Sequence, residues 1–502
     1  MIDHLNWTAT IVFVAFFALV TVLGFVAAKW REGDLSDINE WGLGGRRFGA
    51  WVSWFLIGGD LYTAYTVIAV PALVYAVGAY GFFALAYTIL IYPFLFLAFP
   101  RLWRVTHRKG YITASDFVLG RYGDKWLELA ICFTGILATM PYIALQLVGM
   151  EKVIQALGFQ GAGLAQHLPL TVAFVILAVY TYSSGLRAPA MIAFVKDAMI
   201  YIFVIAAVIV IPYQLGGYGK IFEAAGAAYA KKGGPTGLLL QPAQIMPFIT
   251  LALGSAMALF LYPHSLTGIL SANGPDAIKR NAVALPAYSL VLGLIGLMGF
   301  MAHAAGVQVT NPQDVVPQLF LKMFPDWFVG FCFAAIAIGA LVPAAVMSIG
   351  AANTFTRNFW KPFVEPDITP QREAAVAKLA SLVVKIGALI VILFIPTQYA
   401  IDFQLLGGVW MMQCFPAVIF GLYTRWFGGT ALLIGWAVGM ALGTWLAWGP
   451  TSWVPVHWVG DWFQAYNGVI AVVANIVVSA VLSLVLKSTA KDDTSAIDYV
   501  AA

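Results

Sequence analysis

The run Trp54-Phe55-Leu56-Ile57-Gly58-Gly59-Asp60-Leu61-Tyr62-Thr63-Ala64-Tyr65-Thr66 lies inside an apolar window, residues 50–77, that is long enough to cross a bilayer. It places a glycine pair, a carboxylate and four hydroxyls at the depth of hydrocarbon. A carboxylate there costs about 2.5–3.5 kcal/mol on insertion scales, so Asp60 requires a partner or a wet cavity. Membrane helices unwind where freed carbonyls and helix ends bind ions or solutes, because unpaired backbone is tolerated at that depth only inside protein or beside water. The plainer alternative makes the glycine pair a helix-packing notch and Asp60 the cap of a local kink.

Outward from this run the chain repeats one pattern. Of its 502 residues 61% are hydrophobic and 10% charged, against about 25% charged in a soluble protein. Apolar windows recur at 7–29, 50–77, 80–101, 127–150, 169–185, 190–212, 246–270, 284–306, 327–355, 375–397, 402–424, 428–447 and 465–487, thirteen in all. Each is near the ~20 residues that span a hydrocarbon core. This predicts an all-α polytopic membrane protein with thirteen transmembrane helices, a single integral domain over residues 1–502 set in the lipid of a cell inner membrane.

An odd count puts the termini on opposite faces, and the positive-inside rule decides which. With the N-terminus outside, the cytoplasmic segments hold Lys29, Arg31, Arg46, Arg47, Arg101, Arg104, Arg108, Lys109, Arg121, Lys125, Arg187, Lys279, Arg280, Arg357, Lys361, Arg372, Lys378, Arg425, Lys487 and Lys491. The outer segments hold Lys152, Lys220, Lys231, Lys232 and Lys322. The expected orientation is therefore N-terminus outside and C-terminus cytoplasmic. The segment Pro312 to Phe324 alternates at helical spacing and predicts an interfacial helix. The polar tail from Lys487 is expected to fray.

Several classes are excluded. Cys132, Cys332 and Cys414 fall inside apolar windows and read as small buried residues. There is no basic tract for nucleic acid, no Gly-x-x-x-x-Gly-Lys-Ser/Thr loop for ATP, and no segment that demands a protein partner. The first window follows Met1-Ile2-Asp3-His4-Leu5-Asn6 without a basic leader and is expected to be a retained span. His4, His107, His167, His264, His303 and His457 are scattered, which speaks against a membrane enzyme.

Two further windows carry polar groups at depth. The ninth contains Ser348, with Asn353 and Thr354 nearer its cytoplasmic end, in a stretch of small residues that equally suits close packing. The sixth contains Lys196-Asp197. Adjacent helical residues point about 100° apart, so these two are not expected to face each other, and either could snorkel to an interface. For a small anion the candidates are Tyr62, Thr63 and Thr66, with Tyr142 and Gln146 in the fourth window and Gln413 in the eleventh. Each also reads as interhelical packing. His264, towards the cytoplasmic end of its window, is expected to be structural, and Lys385 in the tenth to snorkel.

Short motifs then occur in a fixed order: Trp41-Gly42-Leu43-Gly44-Gly45-Arg46, Asp116-Phe117-Val118-Leu119-Gly120-Arg121-Tyr122-Gly123, Ser184-Gly185-Leu186-Arg187-Ala188, Ala344-Ala345-Val346-Met347-Ser348, and Phe415-Pro416 with Gly421-Leu422-Tyr423. In these, and over essentially its whole length, the chain resembles the solute:sodium symporter family. Pro263-His264 and the overall pattern are similar to its monocarboxylate, acetate and pantothenate permeases. The resemblance implies a LeuT-type inverted repeat of two five-helix units, approximately residues 50–212 and 246–424, with a midplane site. It implies a sodium site made of the carbonyls of Gly58, Leu61 and Ala345 and the Ser348 hydroxyl, with Asp60 beside them.

The sequence departs from the family at this site. Ile349 takes the place of a second hydroxyl, Ala193 that of a carboxylate, and Ala351 and Ala352 those of further hydroxyls. Lys196 stands where Gln is common. Oxygens are lost and an ammonium is gained, so proton coupling through Lys196 without a bound metal rivals sodium coupling. The implied function is a cation-coupled symporter, not an enzyme, taking up a small monocarboxylate such as lactate, pyruvate or acetate. Pantothenate, amino acids and sugars remain open as solutes.

Overall fold

The computed structural model describes residues 5–29, 33–63, 65–159, 168–394, 400–449, 454–486 and 492–500. Arg31, Lys487 and Lys491, which entered the orientation argument, and His167 lie outside the described residues. The first half runs through α1 (Trp7–Ala28), α2 (Ile38–Leu43) and α3 (Ala50–Gly59), then a π turn, Tyr65–Ala69, into α4 (Val70–Val77). It continues with α5 (Phe83–Leu97), α6 (Phe99–Lys109), α7 (Ala114–Tyr122), α8 (Lys125–Ala156), α9 (Leu168–Ser184), α10 (Arg187–Gln214) and α11 (Tyr218–Lys232). The second half runs through α12 (Pro242–Leu259), α13 (Pro263–Leu270), α14 (Pro275–Ala284), α15 (Pro286–Ala304), α16 (Val315–Met323), α17 (Asp326–Phe355) and α18 (Lys361–Phe363). After α19 (Pro370–Phe394), α20 (Ala400–Met412), α21 (Phe415–Ile419) and α22 (Gly429–Ala447), a hairpin of β1 (Val456–Val459) and β2 (Phe463–Tyr466) precedes α23 (Asn467–Val485).

Nine helices among the described residues are long and apolar enough to cross a membrane, or ten if the bent pair α20–α21 is one span. The count of thirteen crossings is therefore not established by length and composition. The remaining windows fall on interrupted or shorter helices: α3 with α4, α9, and α19 beside its undescribed end. Interruption is what the glycine pair and Asp60 predict for the second window.

Local sequence sets the boundaries. Thr113 accepts from the Asp116 amide at 3.0 Å to start α7, Gly123 ends it at φ 61°, and Asp124 starts α8 by accepting from the amides of Trp126 and Leu127. Each such cap is worth about 1 kcal/mol. Proline opens α12, α13, α14 and α15, where its missing N–H costs nothing. The most hydrophobic stretch of α17 is wholly buried, and α17 packs against α1, α8, α10, α13 and α19. Its small residues permit this: a Cβ on Gly350 would lie 2.6 Å from the His264 amide nitrogen, where α13 crosses.

Several of the segments that the charge rule assigns to one side are joined by ion pairs. Arg187 pairs with Glu40, Arg357 with Glu373 at 2.9 Å and Asp116 at 3.5 Å, and Arg121 with Asp492 at 2.9 Å. The tail does not fray over residues 492–499: Asp498 lies 3.4 Å from Lys109, and Asp492 also meets Arg425 at 3.2 Å. Charge complementarity anchors it. At the other end Lys152 meets Asp314 at 3.0 Å and Asn6 donates to Asp326 at 2.7 Å. The segment 312–324 forms a 3-10 turn and α16.

Candidate cation and substrate site

The helix α3 stops at Gly59, and the chain crosses Asp60 to Thr63 before the π turn begins. Lys196 of α10, with none of its side chain exposed, enters this break and donates to the carbonyls of Gly59 and, at 3.3 Å, Tyr62. Its ammonium also lies 3.0 Å from Asp197 Oδ1, and Asp197 Oδ2 accepts from the Tyr288 hydroxyl at 2.7 Å. Lys196 and Asp197 are thus partners, against the expectation from helical geometry. The Lys stem is long enough to fold back, and Gly59 leaves the space: a Cβ there would stand 3.0 Å from the ammonium and 3.2 Å from Asp197. Gly58 has a different reason to be glycine, since its Cβ would sit 2.3 Å from the Tyr288 ring. The packing notch and the open break are both present, one at each glycine.

A second break faces the first. Between α12 and α13 the chain turns at Phe260–Tyr262, and the N-terminus of α13 presents His264 and Ser265. Ser265 donates to Asp60 Oδ2 at 3.0 Å, and His264 Nε2 is 3.6 Å from the same oxygen. A helix N-terminus favours an anion, which accounts for Asp60 at this depth. His264 therefore sits beside the carboxylate of the broken helix rather than in a remote structural position, because the break carries it inward. Its ring packs edge-on to Tyr142 at 5.5 Å and against Tyr262 at 5.3 Å. A cavity of about 30 Å³, room for about two waters, adjoins these rings and is lined by Tyr65, Tyr87, Tyr142, Tyr262, Gln404 and Tyr466. Asp60 Oδ1, Thr63 Oγ1, Tyr262 Oη, Gln404 Oε1 and both His264 nitrogens are buried without a hydrogen-bond partner among the described residues. Orphaned buried polar groups are expensive, so their concentration here marks a place built for a polar guest.

The other candidates are divided by the structure. Tyr142 lines this chamber and the Thr63 hydroxyl is buried in the break without a partner among the described residues, while Tyr62 donates to the Tyr288 carbonyl at 3.0 Å and Thr66 to the Leu61 carbonyl. Gln146 is fully buried and donates to Tyr142 O at 3.3 Å. Gln413 is turned towards α22 and α23, where its carbonyl oxygen accepts from Asn475 at 3.2 Å. Tyr288, Tyr262 and Gln404 were not singled out from sequence; an aromatic or amide in an apolar window carries no signal of its own. Lys385 does not snorkel: it is 1% exposed, and its ammonium donates to Ser381 Oγ at 2.8 Å. It stands 15 residues into α19, about 22 Å along the axis, beyond the reach of its stem to that end.

The oxygens implied for sodium are already engaged. Gly58 O accepts from the Leu61 amide at 2.9 Å, Leu61 O from Thr66, and Ala345 O from Ser348 Oγ at 2.7 Å. Ser348 in turn accepts from Ser381 at 3.1 Å, and Asp60 and Ser348 share no partner among the described residues. Sodium prefers several free oxygens. The next carbonyls along, Gly59 and Tyr62, hold an ammonium.

Two broken helices that face each other across buried charges, in a bundle with nine long apolar helices among the described residues, are the architecture of a membrane transporter. A profile of the sodium:solute symporter family matches residues 41–439, and the chain belongs to that family. It is 58% identical to a protein of Rhizobium johnstonii named monocarboxylate transport permease protein, over 98% of this chain and 99% of that one. It is 31% identical to the uncharacterized symporter YodF of Bacillus subtilis, over 94% of this chain and 93% of that one. A solved structure of a Na+-coupled sialic acid symporter, in a substrate-bound outward-open state, superposes with a TM-score of 0.78 over 96% of this chain and 98% of the other. At 15% identity that likeness fixes the fold alone. The chain is a symporter rather than an enzyme.

Proposed function

We propose that this symporter takes up a short monocarboxylate such as lactate, pyruvate or acetate together with a proton, and that no sodium ion is needed. The observation that carries this reading is the Lys196 ammonium, fully buried against the carbonyls of Gly59 and Tyr62 and against Asp197. A fixed cation in the break of the second window does the electrostatic work that a bound sodium would otherwise do. The permease relative supports the solute class, and so does a small chamber lined by hydroxyls beside the α13 N-terminus, which favours a carboxylate. In this reading the chain crosses the inner membrane thirteen times, N-terminus outside. Units of approximately 50–212 and 246–424 rock about the chamber, with the neighbouring Asp60 and His264 beside the rings that line it.

Purified protein in proteoliposomes tests this. With acid outside and no sodium, labelled lactate, pyruvate or acetate should accumulate, and alanine should not. Accumulation that requires a sodium gradient and ignores a pH gradient would overturn the proton reading. Uptake of alanine with no uptake of the acids would overturn the solute.

A further inference from the structure

The two buried lysines have unlike surroundings, and the difference assigns them different work. The Lys196 ammonium meets a carboxylate and two carbonyls. Two carbonyls accept its hydrogen bonds and the adjacent carboxylate balances its charge. Lys385 is equally buried but has, among the described residues, one partner, the neutral Ser381 hydroxyl.

Among the described residues Lys385 forms no ion pair, and its ammonium contact is the Ser381 hydroxyl. Among the described side chains, the elements packed on α19 bring Glu40, Glu128, Glu151, Cys132, Tyr142, Tyr182, Cys332 and Arg357, with Lys125, Lys152 and Asp326 towards the helix ends. Glu40 is taken by Arg187, Glu128 by Asn358, Glu151 by Gln155, and Arg357 by Asp116 and Glu373. Cys132 donates to the Thr354 carbonyl at 3.6 Å. An ammonium with one hydroxyl neighbour in a bilayer core is far more costly than the neutral amine.

From Lys385 a line of donors leads to the centre of the bundle. Its Nζ donates to Ser381, Ser381 to Ser348 at 3.1 Å, and Ser348 to the Ala345 carbonyl at 2.7 Å on the central helix α17. On its other side α19 meets α8 where a Cβ on Gly387 would stand 2.8 Å from Met140, two residues from Tyr142 of the chamber.

We propose that Lys385 is the proton-binding site of the transport cycle, while Lys196 stays protonated as a fixed cation. This rests on the proton-coupled reading and names its carrier. Lys385 is neutral when the bundle is closed around it as here. It takes a proton from water when the site opens outward, and it is carried inward in the charged form together with one carboxylate anion. The pair is electroneutral, so the dry interior accepts the ammonium only with its anion. On the inner side the proton and the anion leave together, and the amine returns neutral.

The test uses the full chain in proteoliposomes with labelled lactate and the membrane potential clamped at zero. One proton per anion supports about tenfold accumulation per pH unit in the parent. Lys385→Met removes the amine at similar volume; it should keep lactate counterflow at equal pH on both sides and lose the accumulation driven by the pH gradient. Lys385→Arg, charged at every working pH, should also lose accumulation and carries the test if the first variant does not fold. Either variant accumulating lactate like the parent would overturn the assignment. So would a folded Lys385→Met that has lost counterflow as well, since the residue would then serve translocation itself. A parent that ignores the pH gradient would fail the proton-coupled reading instead, which keeps the two failures apart.

Discussion

Removing one member of the Lys196–Asp197 pair should cost far more than removing both. The two are 3.0 Å apart with neither side chain exposed. At that separation two unit charges attract by about 5–6 kcal/mol at an effective dielectric of about 20. Asp197→Ala strips the ammonium of its counter-charge and the Tyr288 hydroxyl of its acceptor. Breaking a buried pair from one side costs about 3–5 kcal/mol, two to four powers of ten in the folded ratio. Lys196→Met leaves the converse, a buried carboxylate held by one hydroxyl, and should cost a similar amount. The double variant Lys196→Met/Asp197→Ala removes both charges, so its cost should fall short of the sum by at least about 2 kcal/mol. Reversible unfolding in mixed micelles titrated with dodecyl sulfate measures all three. Costs that add within about 0.5 kcal/mol would refute the pairing, and with it the fixed cation in the break.

Gly58→Ala should lower stability by about 1–3 kcal/mol through overpacking against the Tyr288 ring, 2.3 Å from the new methyl; an unchanged unfolding midpoint counts against the close approach. Lys109→Cys should react with an impermeant maleimide in inverted vesicles but not in intact cells, and labelling from outside would reverse the orientation. The docked tail should release in acid. Burial pushes the Asp498 carboxyl up, but hydrogen bonds from the Ser495 amide and hydroxyl and the Lys109 ammonium outweigh it and hold the group below its usual value. A lowered folded value means that the stabilisation is present above the ordinary carboxylate range and lost as pH falls through the folded value. Limited proteolysis should accordingly cut residues 492–499 faster near pH 3 than at pH 7, and equal rates at both would refute the anchor.

Hydrophobic windows, charge asymmetry and the break at Gly58-Gly59-Asp60 were legible in the chain itself. They follow from the cost of bare backbone and charge in hydrocarbon, which acts on each segment alone. The departures at Ala193, Lys196 and Ile349 were legible for the same reason, as a count of oxygens against cations. What faces what was not. Helical geometry set Lys196 and Asp197 apart, and only the missing Cβ of Gly59, on a helix distant in sequence, lets them meet. His264 read as peripheral by position, yet the second break carries it to Asp60. Lys385 read as a snorkelling side chain, yet α8, α9 and α17 close over it. Each of these depends on a surface contributed by another helix, and in a bundle of similarly apolar helices no local pattern names the neighbour. Depth is written in the sequence, because the bilayer imposes it on every window separately; facing is decided by packing, because only the assembled bundle imposes that.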